Sequence, residues 1–206
     1  MPRPKLPAGD TQLIQIVDAA LADSVRRSGA WLACKPGCAQ CCMGVFTINQ
    51  LDALRLQKGL ATLARSDPER AARVRQRARE AAARLAPDFP GDPATGRVDQ
   101  SREAYTRWND FANLEPCAAL DPQSKTCDLY EYRPLTCRTF GPPVRSEGEL
   151  GVCELCFNGV SDEEIAKCEM YPDPDNLEAA LLKKAEAATG KSGETIVVFA
   201  LAGNAR

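Results

Sequence analysis

The chain has 206 residues, ten cysteines, no histidine and a net charge of -2. That length suits one ordinary domain, and the charge does not point to nucleic acid. The missing histidine excludes Ser-His-Asp and Cys-His catalysis, His-ligated zinc hydrolases and histidine-held haem, which leaves sulfur: soft metals or redox chemistry.

Ten cysteines would suit a secreted disulfide scaffold. Against that, Met1–Asp10 is proline-rich and the apolar residues after it alternate with polar ones. No unbroken apolar run fits a signal peptide, or the roughly 20 residues of a membrane span. The expectation is a cytoplasmic protein with no membrane partner. In that setting closely spaced cysteines bind metal or do redox work rather than form bridges.

In chain order, residues 11–28 read as an amphipathic helix. Asp10 or Thr11 caps it, Leu13, Ile14, Val17, Leu21 and Val25 recur at helical spacing, and Gly29 ends it. Trp31 and Leu32 lead into Cys34-Lys35-Pro36-Gly37-Cys38-Ala39-Gln40-Cys41-Cys42, four cysteines in nine residues. Pro36-Gly37 breaks regular structure, so the first two thiols sit on a tight turn. Thr47-Ile48-Asn49-Gln50 has the capping-box pattern and predicts a second helix from Thr47. Leu51, Ala53 and Leu54 would face inward, with Gly59 near the helix end.

Asp67 caps a third helix over 67–85, Pro68 takes its first turn, and Ala71, Val74, Ala78, Ala81 and Leu85 form its apolar stripe. Residues 86–100 read as a loop and 101–112 as a short helix. The prolines of Glu115–Val144 forbid long elements. Cys127–Tyr130 reads as a short strand there, and Pro134 opens a helical turn carrying Cys137. Ser161-Asp162-Glu163-Glu164 caps a helix bearing Cys168. Residues 175–189 read as a final helix before Gly190, and Thr195–Ala202 as a strand or buried helical turn. The fold class is therefore mainly α. A small helical domain, one unit over 1–206, carries irregular cysteine-rich metal-binding loops and few short strands. Its cysteine core spans about 30–170, and N- and C-terminal helices pack on it.

Structural zinc takes four ligands tetrahedrally, often from two C-x2-C knuckles; Cys38/Cys41 and Cys153/Cys156 have that spacing. Iron–sulfur clusters also take four thiolates, and ten cysteines allow two such sites with two spare. Neighbouring side chains diverge in helix and strand alike. Cys41 and Cys42 are therefore expected to serve two metals, or separate irons of one cluster. Cys168 reads as readily as a buried small hydrophobe. A redox dithiol at Cys153 and Cys156 lacks the surrounding βαβ pattern. The third helix carries Arg65, Arg70, Arg73, Arg75, Arg77, Arg79 and Arg84, read as a solvated face or as a surface for RNA or an acidic partner.

These motifs resemble the bacterial CxxCxxCC family, the YkgJ-type cysteine-cluster proteins described as zinc- or iron-chelating. Two blocks carry the resemblance: Cys34–Cys42, and Pro116-Cys117-Ala118-Ala119-Leu120 followed by Cys127-Asp128-Leu129-Tyr130-Glu131-Tyr132-Arg133-Pro134-Leu135-Thr136-Cys137-Arg138-Thr139-Phe140. Two positions depart from the family pattern. The first spacing is C-x3-C, and Ala119 stands where the family tends to have phenylalanine. The resemblance implies that Cys34, Cys38, Cys41, Cys42, Cys117, Cys127 and Cys137 are metal ligands, with Cys153 or Cys156 supplying an eighth. It implies iron, as an iron–sulfur cluster, or zinc as the cofactor, in a structural, redox or metal-handling role. Arg133 and Arg138 would then offset the charge of a thiolate-rich site, with Tyr130 packed beneath it. Some proteins with this block are similar to S-adenosylmethionine-dependent flagellin lysine-N-methylases, which gives a methyltransferase-like enzyme as a second reading. This chain shows no Gly-rich strand–loop–helix motif for the nucleoside. A metal-scaffolded RNA or protein adaptor using the arginine helix is a third.

Overall fold

The computed structural model describes residues 5–146 and 148–203; the two ends of the expected 1–206 unit lie outside them. The described residues form helices α1 (Asp10–Ser28), α2 (Gln50–Ser66), α3 (Pro68–Leu85), α4 (Arg102–Trp108), α5 (Leu135–Thr139), α6 (Asp162–Lys167), α7 (Leu177–Thr189) and α8 (Val197–Ala202). Strands are confined to two or three residues: β1 (Thr47–Ile48), β2 (Gly91–Asp92), β3 (Arg97–Val98), β4 (Val144–Ser146), β5 (Glu149–Gly151) and β6 (Thr195–Ile196). They pair antiparallel as β1–β6, β2–β3 and β4–β5. The chain is mainly α, as expected. Among the described residues, no helix is long and apolar enough to cross a membrane.

α3 follows its sequence signals closely. Asp67 accepts the Arg70 N–H at 2.9 Å, Pro68 fills the first turn, and all five stripe residues are buried. That stripe packs on α2 and α8, in a core closed by Phe89, Phe111 and Leu129. A second core joins α1, α2 and α7 through Leu13, Val17, Leu51, Leu54 and Leu181. α2 therefore belongs to both. Burying each such Leu or Val is worth about 1.5–3 kcal/mol, so α2 is the element the rest of the fold is built on.

Several expectations are corrected. In α1 only Leu13 and Val17 of the stripe are fully buried, and Val25 is exposed. Ser24 and Ser28 take the inward positions instead, because the last turns meet backbone carbonyls rather than apolar side chains. Ser24 donates to the Cys168 carbonyl at 2.6 Å, and Arg27 to that of Glu169 at 2.9 Å. Gly9, at φ 101, and not Asp10 or Thr11, precedes the first turn. Thr47 does not cap α2: it pairs with Ile196, and Asn49 accepts the Asp52 N–H at 3.0 Å. Gly59 lies mid-helix, and Tyr132 packs against it.

The loop 86–100 contains the β2–β3 hairpin, and the 101–112 helix is confined to α4. Cys127–Tyr130 is not a strand. A single bridge pairs Cys127 with Leu120, and Tyr130–Tyr132 then form a 3-10 turn. α7 begins at Leu177 because Asp173 accepts the N–H groups of Leu177 and Glu178. The 195–202 segment is both things expected of it, β6 and then α8.

Candidate metal centre

The first cysteine run is divided by its own turns. Cys38 N–H donates to the Lys35 carbonyl at 2.9 Å, closing a turn over Pro36-Gly37, where Gly37 has φ 91. Gln40–Cys42 then form a 3-10 turn. That turn brings the Cys41 and Cys42 sulfurs to 4.0 Å. The expectation that adjacent thiols diverge is overturned, because it assumed strand or α-helix. Two sulfurs on one tetrahedral zinc, each about 2.3 Å from the metal, would stand roughly 3.8 Å apart. The observed separation is close to that value.

The end of the run docks on the second cysteine block. Met43 bridges to Pro116, and Cys117 N–H donates to the Cys42 carbonyl at 2.8 Å. Asp128 N–H reaches the Ala119 carbonyl at 2.8 Å, which sets Cys127 beside Cys117. Pro134 opens α5, which carries Cys137 as expected. The thiols gathered here are Cys41, Cys42, Cys117, Cys127 and Cys137. The hydrogen bond between Cys41 and Cys42 pulls the Cys41 thiol down to about 6, helped by Arg133, and pushes Cys42 up. Burial raises the Cys117 thiol, pushes Cys127 up to about 12 and holds Cys137 well above the ordinary thiol range, with Cys117, Cys127 and Cys41 adding to it.

The start of the run faces a different partner. Phe157 N–H donates to the Trp31 carbonyl at 2.9 Å, and Ala33 N–H points at the Cys156 sulfur at 3.4 Å. Gly141, at φ +116, lies so close to Cys34 that a Cβ there would stand 2.7 Å from its sulfur. Cys34 is an exposed residue, yet its sulfur turns inward. Burial pushes the thiol up to about 12, and Cys156, Cys38 and Cys153 add to the shift. Cys34, Cys38, Cys153 and Cys156 thus form a second group. Cys38 and Cys41, paired by spacing in the sequence, belong to different groups. Cys168, outside both, is buried beside Cys153, Cys156 and Phe157. Among the described residues, no three cysteine or acidic side chains already stand close enough around one point to hold an ion.

The arginines differ from expectation. Arg133 does face the thiols: it lowers Cys41 and Cys127 and lies 3.9 Å over the Tyr130 ring. Tyr130 itself is exposed, not packed beneath the site. Arg138 is buried and spends its charge elsewhere, on Asp18 at 2.6 Å and the Glu131 carbonyl at 2.6 Å, which ties α5 to α1. Arg65 lies in the last turn of α2 and not on α3, and the arginines of α3 are not all solvated. Arg70 and Arg77 both bind the buried carboxylate of Asp128, Arg77 also holds the Ala118 carbonyl at 3.0 Å, and Arg84 pairs with Glu115 at 2.7 Å. The signal was present in the spacing: residues 70, 77 and 84 are seven apart and share one helix face.

Residues 33–156, more than half of the chain, match the sequence model of the CxxCxxCC family, a putative zinc- or iron-chelating domain. The chain belongs to the CxxCxxCC family. Neither the curated proteins nor the solved structures returned a match. The CxxCxxCC span begins one residue before Cys34 and ends on Cys156, so it takes in both thiol groups and leaves Cys168 outside. The donor set fits such a domain: thiolates favour zinc and iron over magnesium or calcium. The nearest buried carboxylates, Asp52 and Asp128, are already committed to arginines.

Proposed function

We propose that this CxxCxxCC protein chelates zinc or iron at two thiolate centres. Cys34, Cys38, Cys153 and Cys156 make the outer centre; Cys41, Cys42, Cys117, Cys127 and Cys137 are the donor pool of the inner one. The observation that carries the reading is the Cys41–Cys42 sulfur separation of 4.0 Å, in a turn whose backbone is bonded to Cys117. Such a metal would supply cross-links between loops that have little regular structure of their own, and its binding energy becomes folding energy. Arg133 offsets the negative charge that the inner thiolates accumulate.

Anaerobic purification followed by metal analysis tests this. Two zinc equivalents in a colourless protein identify mononuclear sites, whereas brown protein containing iron and sulfide identifies an iron–sulfur form. Cys127→Ser and Cys153→Ser should each remove metal from one centre only. Protein containing neither zinc nor iron overturns the reading. Stripping the metal should also lower stability by about 3 kcal/mol or more, as for a ligand at a hundred times its Kd, read as a fall in the thermal midpoint.

A further inference from the structure

The two thiol groups are held very differently. The inner group is braced by guanidinium groups. Asp128, next to Cys127, takes Arg70 and Arg77; Arg77 also grips the Ala118 carbonyl beside Cys117; Arg138 pins the turn of Cys137 to Asp18. The outer group has no such brace among the described residues. Its fastenings between loops are the 2.9 Å bond from Phe157 N–H to the Trp31 carbonyl, a 3.5 Å bond from Cys153 N–H to the Gly141 carbonyl, the long Ala33 N–H to Cys156 sulfur contact at 3.4 Å and an exposed bond from Gln40 to Glu154, none of which involves Cys34 or its exposed turn. Residues 33–37 are all exposed, and Cys34 is the one exposed cysteine of the ten. Cys153 and Cys156, by contrast, are buried with Phe157. One ligand of the outer set therefore hangs on a solvent-exposed turn while two of the others are fixed in the fold.

We infer, on the basis of the two-centre reading above, that the outer centre is an exchange site that hands its divalent ion to an incoming thiol through Cys34, while the inner centre keeps its metal. In the exchange step the sulfur of the incoming thiol bonds to the metal as the Cys34 sulfur leaves it. The proton of the incoming thiol passes to the departing Cys34 thiolate. One metal–sulfur bond forms as another breaks and no electron moves, so the step needs no oxidant or reductant. The Pro36-Gly37 turn lets Cys34 swing outward while the Cys38 N–H stays on the Lys35 carbonyl. Gly141 sets the resting position of the thiol, since any side chain there would press on the Cys34 sulfur.

The test uses the full chain loaded with zinc and mixed with an excess of a chromogenic chelator. Wild-type protein should release its zinc in two phases of equal amplitude, with rates separated by about tenfold or more, a barrier difference near 1.4 kcal/mol. Cys34→Ser should remove the fast phase and leave the slow one, and Gly141→Ala should quicken the fast phase. Iodoacetamide labelling of the zinc-loaded wild type, read by peptide mass, should mark Cys34 before Cys127 or Cys137. A single release phase for both equivalents overturns the inference, as does earlier labelling of Cys127 or Cys137. Protein that takes up less than one zinc equivalent would instead defeat the chelation reading itself. Two tightly held equivalents leaving together defeat only the exchange site.

Discussion

A Cβ built on Gly59 would stand 2.6 Å from Cβ and Cγ of Tyr132. Tyr132 ends the turn between Cys127 and Cys137, so this one glycine lets α2 take the cysteine loop against its surface. Replacing it sets two effects against each other. Alanine should gain about 1 kcal/mol of intrinsic helix preference over glycine, and overpacking should cost about 1–3 kcal/mol. Because the ring sits on a loop that Arg70, Arg77 and Arg138 hold down, little relaxation is available and the steric cost should win. Gly59→Ala is expected to lower the urea midpoint without changing the m-value; a higher midpoint would show that the loop yields. None of this was legible in sequence. Gly59 looked like a helix end because its only visible context was local, while Tyr132 lies more than seventy residues away. Cys41 and Cys42 are opaque for a related reason: adjacent side chains diverge in strands and α-helices, and the 3-10 turn that brings these sulfurs together has no strong sequence signature.

At the scale of elements, α3 was the most legible part of the chain. Its cap, first-turn proline and apolar stripe all act within the helix, so the sequence contains the whole cause. Its arginines were half-legible. Their amphipathic placement was plain, but Asp128, the acid that turns Arg70 and Arg77 from solvent toward the cysteine loop, lies in a distant block. Asp128 is almost fully buried, its side chain only 3% exposed, whereas those of Arg70 and Arg77 are 38% and 24% exposed. Water therefore screens part of the attraction. Asp128→Asn removes the charge but keeps the shape, and should cost about 1–2 kcal/mol, the low end for hydrogen bonds to charged groups. The clamp holds the backbone beside Cys127 and Cys117, so zinc affinity at the proposed inner centre should fall about tenfold or more, as for other groups that orient metal ligands. Competition titration against a chelator, with unfolding in parallel, reads both effects. Unchanged affinity would show that the clamp stabilises the loop without positioning its cysteines. The same contacts redirect any test of RNA binding: Arg77→Glu would break the loop, so Arg73, Arg75 and Arg79 are the positions to substitute, and a salt-insensitive interaction would end the adaptor reading.

For the whole molecule, the helical character and most helix positions were legible because each depends on residues close together in the chain. How the cysteines divide between two groups was not, since that depends on which loop meets which across the fold. α2 links the two apolar cores, and a buried charge cluster links α2 to α1 and α5. Arg55 donates to Asp10 at 2.8 Å and to Asp52 at 2.6 Å, and its Nη2 lies 2.7 Å from the same Asp10 oxygen but off the hydrogen-bond axis. Asp52 also accepts the Leu135 N–H at 3.1 Å. One guanidinium shared by two buried carboxylates leaves an excess negative charge. Burial pushes Asp52 up to about 6; Arg55 and the Leu135 N–H oppose the shift, and Glu178 reinforces it. The unfolded carboxyl titrates near 3.9. Below about pH 4 both states are protonated at this site and the folded state has the full benefit of a neutral Asp52. Between about pH 4 and 6 the folded protein retains a proton that the unfolded chain has lost, so stability declines as pH rises. Above the folded value the benefit is gone. Other carboxylates slope the opposite way: hydrogen bonds hold Asp92 and Asp121 below the usual range. The measurement is therefore a difference. Asp52→Asn keeps the Leu135 contact and cannot titrate. Relative to this variant, wild-type unfolding free energy should fall by roughly 2–3 kcal/mol between about pH 4 and 7. Parallel curves for the two proteins would show that Asp52 does not titrate in that window. A relative rise would show that pairing with Arg55 outweighs burial at this site.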